Sequence, residues 1–221
     1  MFETELDLVN FFVDSRSKKN NRKIITELST NFGRPDIVEL IFSNDILENR
    51  RRKFSGHEIF INRDDSYILT YLFAKNWVNK DTILKYLNIS KPSLERAIER
   101  LVNRGLIMVE LDKIKQFPKT ETLAITQINV YEAKLSNWKY VIAQAERHFW
   151  FSKNSAILIP ELSQSTLDNC NQVCLNNNIE LFVANKKKIK SWNGNEITRK
   201  TGVINTPLLW ELNEKLIDGR F

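Results

Sequence analysis

Cysteine and histidine are scarce in this sequence, which has two of each. Cys170 and Cys174 are four positions apart, whereas His57 and His148 are far from each other in the chain. A structural zinc site needs four such ligands, and no second closely spaced pair completes a set. With Leu167, the cysteines fall at i, i+3 and i+7, a spacing typical of one helix face. We therefore expect reduced thiols in a hydrophobic core rather than a zinc site.

Long apolar segments are also missing. A membrane-spanning helix needs about 20 consecutive apolar residues, and no run in the sequence approaches that length. The first residues, MFETE, are acidic, whereas a secretory signal peptide begins with basic residues. Both absences lead us to expect a cytoplasmic protein without a membrane partner.

The charge that is present is unevenly distributed. The 221 residues include 33 Lys and Arg against 27 Asp and Glu, which gives a net charge of +6. The basic excess is concentrated in segments 16–23, 50–53 and 186–190. Such runs are often solvated surface, but a positive surface also suits a polyanionic partner. The hydrophobic content of 42% is enough for one large domain or two modest ones.

The two ends of the chain alternate between strand and helix patterns. Acidic residues lead a predicted N-terminal helix over 3–13. Segments 23–29 and 34–42 are rich in Ile and Val and predict a β-hairpin around Asn31-Phe32-Gly33. Later in the chain the pattern predicts strand 123–135, helix 138–151, strand 156–160, helix 163–176 and strand 180–184. This order implies parallel strands covered by helices.

Two further expectations concern helix ends and the C-terminus. Ser136-Asn137 is a natural cap for the helix over 138–151. A closing helix is predicted over 206–217, where it would contribute to a homodimer surface.

The middle of the chain, 44–119, has a helical pattern instead. A charged stretch over 44–53 leads through Gly56 into three helices, of which the second has Asn79 in position to cap it. The third has Pro92 in its first turn and ends at Gly105. Its apolar stripe is formed by Leu94, Ile98, Leu101 and Val102. A strand over 106–111 and a basic return strand follow.

The tract 80–111 resembles the winged helix-turn-helix of bacterial regulators, in which the third helix enters the DNA major groove. Many winged helices bind proteins or connect domains, so the resemblance concerns the fold first. Polar and basic residues outside the apolar stripe are the candidate contacts to duplex DNA: Lys91, Ser93, Arg96, Arg100, Asn103, Arg104, Lys113 and Lys115.

The strand segment INVYEAKLS, 128–136, carries an unusual pair of charges. Strand alternation places Glu132 and Lys134 on one face, and Tyr131 and Ala133 on the other. Ionised groups on an apolar strand are costly unless they are paired, exposed or bound to a metal. A cross-strand ion pair on a wet sheet face would explain them equally well. Asp36, after a proline at the start of another predicted strand, is a second carboxylate, although it can also cap a turn.

The flanks of the helical block share one pattern, and neither completes a sheet alone. We therefore interpret the block as an insertion between two strands, 34–42 and 123–135, that pair antiparallel. Asp36, Glu132 and Lys134 would then converge at one end of the sheet.

The residues Gly33-Arg34-Pro35-Asp36, Glu132-Ala133-Lys134 and Gln144 resemble the PD-(D/E)xK superfamily of restriction-endonuclease-like nucleases. The resemblance covers 1–42 and 121–190. It implies an α/β (α+β) fold in which helices flank a mixed central sheet. The nuclease domain would span 1–43 and 120–221, and a winged-helix domain at 44–119 would interrupt it. The family often has tyrosine four residues after the helix glutamine, where this chain has His148, so the role of that position stays open.

The resemblance also implies a metal-dependent chemistry. Asp36, Glu132 and the Ala133 carbonyl would bind Mg²⁺, for which Mn²⁺ can substitute, because hard cations prefer oxygen ligands. Lys134 would neutralise transition-state charge and orient or deprotonate the attacking water. Glu5, with Glu3 as second choice, would add a carboxylate from the first helix. Gln144 completes the candidate catalytic set or is an ordinary helix-surface residue.

The resulting hypothesis is a metal-dependent DNA endonuclease, a homodimer that binds double-stranded DNA and needs no small-molecule cofactor. The alternative is a non-catalytic winged-helix transcriptional regulator on a nuclease-like scaffold. A winged-helix interaction module within a larger assembly is the third interpretation.

Overall fold

The computed structural model describes residues 2–16, 19–31, 33–54 and 59–221. Phe32 of the predicted turn, part of the basic segment 16–23, and the predicted connection through Gly56, with His57, lie outside these ranges. The chain divides into two compact units. The first unit contains Met1–Ile41 and Thr126–Ile204, and the second contains Phe42–Ile125 and Asn205–Phe221. None of the helices in the described ranges has the length and apolar character needed to cross a membrane.

The elements follow one another along the chain as a mixture of helices and strands. In order they are α1 (Glu5–Arg16), β1 (Arg22–Thr26), β2 (Ile37–Phe42), α2 (Asn44–Phe54), α3 (Arg63–Leu72), β3 (Val78–Asn79), α4 (Lys80–Leu87), α5 (Lys91–Asn103), β4 (Ile107–Glu110), β5 (Lys113–Gln116), α6 (Lys119–Thr122), β6 (Ile125–Ala133), α7 (Trp138–Arg147), β7 (Asn154–Pro160), α8 (Gln164–Asn176), β8 (Glu180–Asn185), β9 (Lys188–Ser191) and α9 (Pro207–Ile217). A short 3-10 helix, His148–Trp150, follows α7.

The first unit is built on a mixed six-stranded sheet in the order β1-β2-β6-β7-β8-β9. Strands β1 and β2 pair antiparallel, which confirms the predicted hairpin. The β6, β7 and β8 strands pair parallel, as the alternation of strand and helix predicted. Strand β9 pairs antiparallel with β8 and was missed, because its sequence, KIKS, belongs to a basic run that we interpreted as surface.

Helices cover both faces of this sheet. Leu8, Val9 and Phe12 of α1 pack against the face that carries Tyr131 and Ala133. Burying one phenylalanine side chain contributes about 1.5–3 kcal/mol, so Phe12, which has no exposed surface, anchors α1 well. The opposite face packs against α7 and α8 through the following buried side chains: Val141, Ile142, Ala145, Leu167, Cys170 and Cys174. The cysteines are free and buried, as predicted.

The second unit combines helices with a three-stranded sheet in the order β3-β5-β4. Leu94, Ile98 and Leu101 of α5 are buried as predicted, but Val102 is 44% exposed and Ala97 is buried instead. Each helical residue turns the chain by about 100°, so Val102 lies roughly 80° around the helix from Leu94. The predicted stripe was therefore too wide on that side.

The helix caps differ from the sequence prediction at two places. Asn79 and Asn137 occupy the N-cap positions of α4 and α7, but neither side chain makes a capping hydrogen bond. Asn137 adopts a left-handed conformation with φ 55°. Helix α3 instead has a full capping box, in which the Asn62 and Asp65 side chains each accept from the other residue's backbone N–H.

The C-terminal helix α9 belongs to the second unit, whereas the sequence analysis placed 205–221 with the six-stranded sheet of the first unit. Its apolar face is buried within the second unit, and the expected contribution to a dimer surface stays a prediction. A buried ion-pair network contributes to this placement. Glu214 accepts from Arg50 at 2.9 Å and from Arg104 at 2.7 Å, and none of these side chains is more than 3% exposed. Asp218 adds a second carboxylate 2.8 Å from Arg104.

Candidate functional site

The start of β2 and the end of β6 lie side by side at one end of the strands of the six-stranded sheet. The backbone N–H of Ala133 donates to Asp36 Oδ2 at 2.7 Å. At the far end of the same pair, Thr126 Oγ1 donates to the Ile41 carbonyl at 3.1 Å. The contacts run in opposite order along the two strands, so the strands are antiparallel. The structure thus places Asp36 next to the end of β6, although the two are far apart in sequence.

Glu132 lies beside Asp36 and is 3% exposed. Its Oε1 atom is 2.5 Å from His148 Nε2, and His148 is itself 2% exposed. The sequence analysis left the role of His148 open, and packing or surface was the simpler interpretation. Its spacing of four residues from Gln144 was the available signal, because residues at i and i+4 share one side of a helix.

Gln144 and His148 both leave polar atoms without partners. Gln144 Oε1 and His148 Nδ1 are buried and have no hydrogen-bond partner among the described residues. Buried polar atoms are normally satisfied, and exceptions often mark a place for water or a bound ion. Gln144 lies in α7, and His148, which contacts Glu132, lies in the short 3-10 helix that follows.

Lys134 follows the last residue of β6, and its Nζ atom is 2.8 Å from Glu5 Oε2 at the start of α1. Of the two α1 candidates, Glu5 therefore forms this contact rather than Glu3. The hydrogen bond to Glu5 raises the pKa of Lys134 despite partial desolvation, and the charges of Glu5, Asp36 and Glu132 add to this effect. The side chain thus keeps its proton. The predicted duty of deprotonating water needs the opposite shift, so the geometry favours charge neutralisation.

Burial raises the pKa of Asp36 to about 7, even though the Ala133 N–H lowers it. The negative charge of Glu132 and a hydrogen bond to that side chain raise the pKa further. Two neighbouring carboxylates disfavour the ionised form of one another unless a proton or a cation lies near both. Asp36 therefore keeps its proton well above the usual pH range of an aspartate.

The donor set fits a hard divalent cation. Asp36 and Glu132 provide adjacent carboxylates, and the Ala133 carbonyl belongs to the same strand end. Within the described ranges, no group of three or more His, Cys, Asp or Glu side chains is arranged to hold a metal. A cation here would depend on two carboxylates, a carbonyl and water, a combination that Mg²⁺ tolerates because it keeps several waters.

The predicted DNA-binding residues separate into two groups. Lys91, Arg96, Asn103 and Lys113 are exposed, while Ser93 and Lys115 are half-buried. Arg100 was predicted to face DNA, but its guanidinium forms a bidentate pair with Asp65, with both distances 2.8 Å. Arg104 was also predicted there and is fully buried against Glu214 and Asp218, so it cannot contact DNA. In both cases the carboxylate partner is distant in sequence.

Comparisons of this chain with protein-family models, curated proteins and solved structures find no match.

We expect the stability of the metal-free protein to show the titration of Asp36. An aspartate with a raised pKa binds its proton more tightly in the folded chain than in the unfolded chain, where the pKa is about 3.9. Its contribution to the free energy of unfolding therefore falls as pH rises from about 4 to about 7, and stays constant above. Asparagine does not titrate, so the Asp36→Asn variant lacks this pH-dependent contribution to the free energy of unfolding. Urea denaturation in EDTA should show wild type losing stability relative to the variant between pH 4 and 7. A difference that does not change with pH would contradict the assignment.

Proposed function

We propose that the first unit hydrolyses phosphodiester bonds in DNA with the help of Mg²⁺ or Mn²⁺. The observation that carries the proposal is the convergence of four ionisable residues from three separate parts of the sequence: Asp36 and Glu132 side by side, and Lys134 paired with Glu5. A paired lysine beside two carboxylates is a suitable arrangement for a cation and a phosphate group.

The proposal extends to the fold of each unit. A mixed sheet with parallel central strands and helices on both faces supports a restriction-endonuclease-like assignment for the first unit. Three helices, α3 to α5, with a small antiparallel sheet support a winged-helix assignment for the second. The exposed Lys91, Arg96, Asn103 and Lys113 would contact duplex DNA.

Each residue of the candidate site has a physical role in this scheme. Asp36, Glu132 and the Ala133 carbonyl would hold the cation, which when bound polarises the phosphoryl group and lowers the pKa of a water. The Lys134 ammonium stabilises negative charge that develops on the phosphoryl oxygens. Glu5 fixes that ammonium by a hydrogen bond. His148 holds Glu132 Oε1 and so orients the carboxylate, as groups around metal ligands commonly do.

A plasmid-nicking assay with Mg²⁺ or Mn²⁺ tests this function. Wild type should convert supercoiled DNA to the open circular form. Glu132→Gln keeps the shape of the side chain but removes its charge, and should lower the rate on the order of 10³-fold, since metal ions supply several kcal/mol. Glu146→Gln makes the same change at an exposed position of α7 and should leave the rate unchanged.

Absence of nicking by wild type needs one further measurement. A gel shift in Mg²⁺-free buffer shows whether duplex DNA is bound, and Arg96→Met should weaken that binding. Binding without nicking across several DNA sequences, together with no heat of Mn²⁺ binding in calorimetry, would reject the nuclease and favour the non-catalytic regulator.

A further inference from the structure

A polar pocket of about 270 Å³ lies within the first unit, in addition to the candidate metal site. It includes Tyr131, whereas the candidate metal site includes the next residue, Glu132. Adjacent strand residues project from opposite faces of a sheet, so the Tyr131 and Glu132 side chains lie on different faces. The pocket also reaches Asn154 and Glu180, the first residues of β7 and β8, so it lies toward the amino ends of the parallel strands.

Glu39 is a fully buried carboxylate in the wall of this pocket. It accepts from Arg22 Nη1 at 2.5 Å, Asn129 Nδ2 at 2.8 Å and the Tyr131 hydroxyl at 2.8 Å, and Arg16 Nη1 is 3.5 Å away. Burial alone would raise the pKa of Glu39, but these hydrogen bonds and positive charges outweigh it and lower the pKa. Glu39 is therefore ionised and satisfied by groups of the protein.

The second carboxylate of the pocket, Glu180, is also satisfied internally. It accepts from Ser191 Oγ at 2.6 Å and from Arg199 Nη2 at 2.5 Å. Four cationic residues line the pocket together with these two carboxylates: Arg16, Arg22, Arg199 and Lys200. Two positive charges therefore remain in excess after both carboxylates have been neutralised.

Donors remain available for a ligand. Arg22 Nε is buried and has no hydrogen-bond partner in the described part of the chain. Lys200 uses its backbone to bind Asn154, and its ammonium forms no ion pair in the described ranges. The Arg16 and Arg22 side chains are 23% and 19% exposed, so solvent reaches them.

Arg16 is held in place before any ligand arrives. Its guanidinium carbon lies 4.7 to 5.3 Å from the ring centroids of Phe12, Tyr131 and Phe182. A guanidinium fixed in this way loses little conformational entropy when it binds an anion. The hydrogen bonds of Arg16 and Arg22 to Glu39 also fasten α1 and β1 to the sheet, and the excess of cations over carboxylates leaves positive charge for an anion.

We propose that this pocket binds the phosphate group of a small ligand such as a nucleoside monophosphate. Arginine forks and a lysine ammonium are the groups that recognise phosphate oxygens. The volume is slightly below the roughly 300–1,000 Å³ of common small-molecule sites, which suits a ligand of mononucleotide size. The pocket acts independently of the metal site.

Isothermal titration of the 221-residue chain with adenosine 5′-monophosphate, in EDTA, tests the proposal. Wild type should bind the nucleotide, and inorganic phosphate should compete. Lys200→Met should weaken binding about tenfold, the effect expected of one charge-assisted hydrogen bond. Because Lys200 is exposed, this variant should fold normally. Lys188→Met, an exposed β9 residue with the same charge change, should bind as wild type does.

Two further arms decide the ligand chemistry and the independence of the site. Adenosine without its phosphate should not bind, and Asp36→Asn should bind the nucleotide as wild type does even if the nuclease proposal fails. The proposal is overturned if neither nucleotide nor phosphate binds, if adenosine binds as well as the nucleotide, or if Lys200→Met and Lys188→Met behave alike.

Discussion

Replacing Lys134 with methionine should lower the rate of plasmid nicking by roughly 10³-fold, without loss of the fold. Removing one preorganised charge-stabilising group in an active site costs about 10²–10³ in rate, and a full ammonium charge is expected at the upper end. Lys134 has a raised pKa and remains charged, so methionine removes a positive charge while keeping most of the stem. Initial rates of open-circle formation in Mn²⁺, with a melting curve for each protein, provide the measurement.

Lys139→Met is the matched control, because Lys139 is exposed on the neighbouring helix α7 and the charge change is identical. Lys134→Arg keeps the positive charge and should retain more activity than Lys134→Met. Equal nicking by Lys134→Met and wild type would remove the lysine from the mechanism. A parallel loss in the Lys139 variant would indicate a general effect of net charge on DNA binding.

Glu214→Ala should cost about 3–5 kcal/mol of stability, the range for removing one partner of a buried ion pair. Arg50 and Arg104 are buried and would lose the carboxylate that neutralises them. Burial already lowers the pKa of Arg50 despite the charge of Glu214, which shows how strongly the site disfavours an unpaired cation. Urea denaturation followed by tryptophan fluorescence, to which the buried Trp210 on the same helix contributes, would measure the loss.

Glu48→Ala provides the comparison on the surface. Glu48 and Arg51 are 3.6 Å apart, with side chains 59% and 39% exposed, so their removal should change stability by at most about 1 kcal/mol. A Glu214→Ala effect no larger than this would mean that water or a rearranged neighbour satisfies the two arginines. The consequence would be that apolar packing and the hydrogen bonds of Asn213 and Arg51 hold α9 in place without help from the ion pairs.

The sequence predicted those helices and strands whose apolar residues, as read from the local sequence pattern, are the residues buried in the structure. The parallel strands β6 to β8 are short apolar runs separated by amphipathic helices, and both features survive in the structure. The placement of α9 depends on partners distant in sequence, whereas β9 pairs with the preceding strand β8 and was missed because of its lysine-rich sequence. No local pattern distinguishes a lysine-rich strand from a lysine-rich surface segment.

In the candidate site, too, the sequence predicted some features and missed others. Asp36, Glu132, Lys134 and Glu5 were predicted and are brought together in the first unit. The contact of His148 with Glu132 was not predicted, because it depends on how α7 lies on the sheet. Arg96 and Arg104 looked equivalent along α5, yet a buried carboxylate 110 positions away sequesters Arg104.

The pairing of β2 with β6 also has a consequence for how the protein emerges from the ribosome. The two strands are separated by 82 residues, 43 to 124. At about 5–20 residues per second, synthesis of that segment takes roughly 4–16 s. During this interval the β1–β2 hairpin has an unpaired edge, which can associate with other chains. Because Asp36 meets Glu132 only after β6 has been translated, a nascent chain that ends before β6 cannot assemble the carboxylate pair.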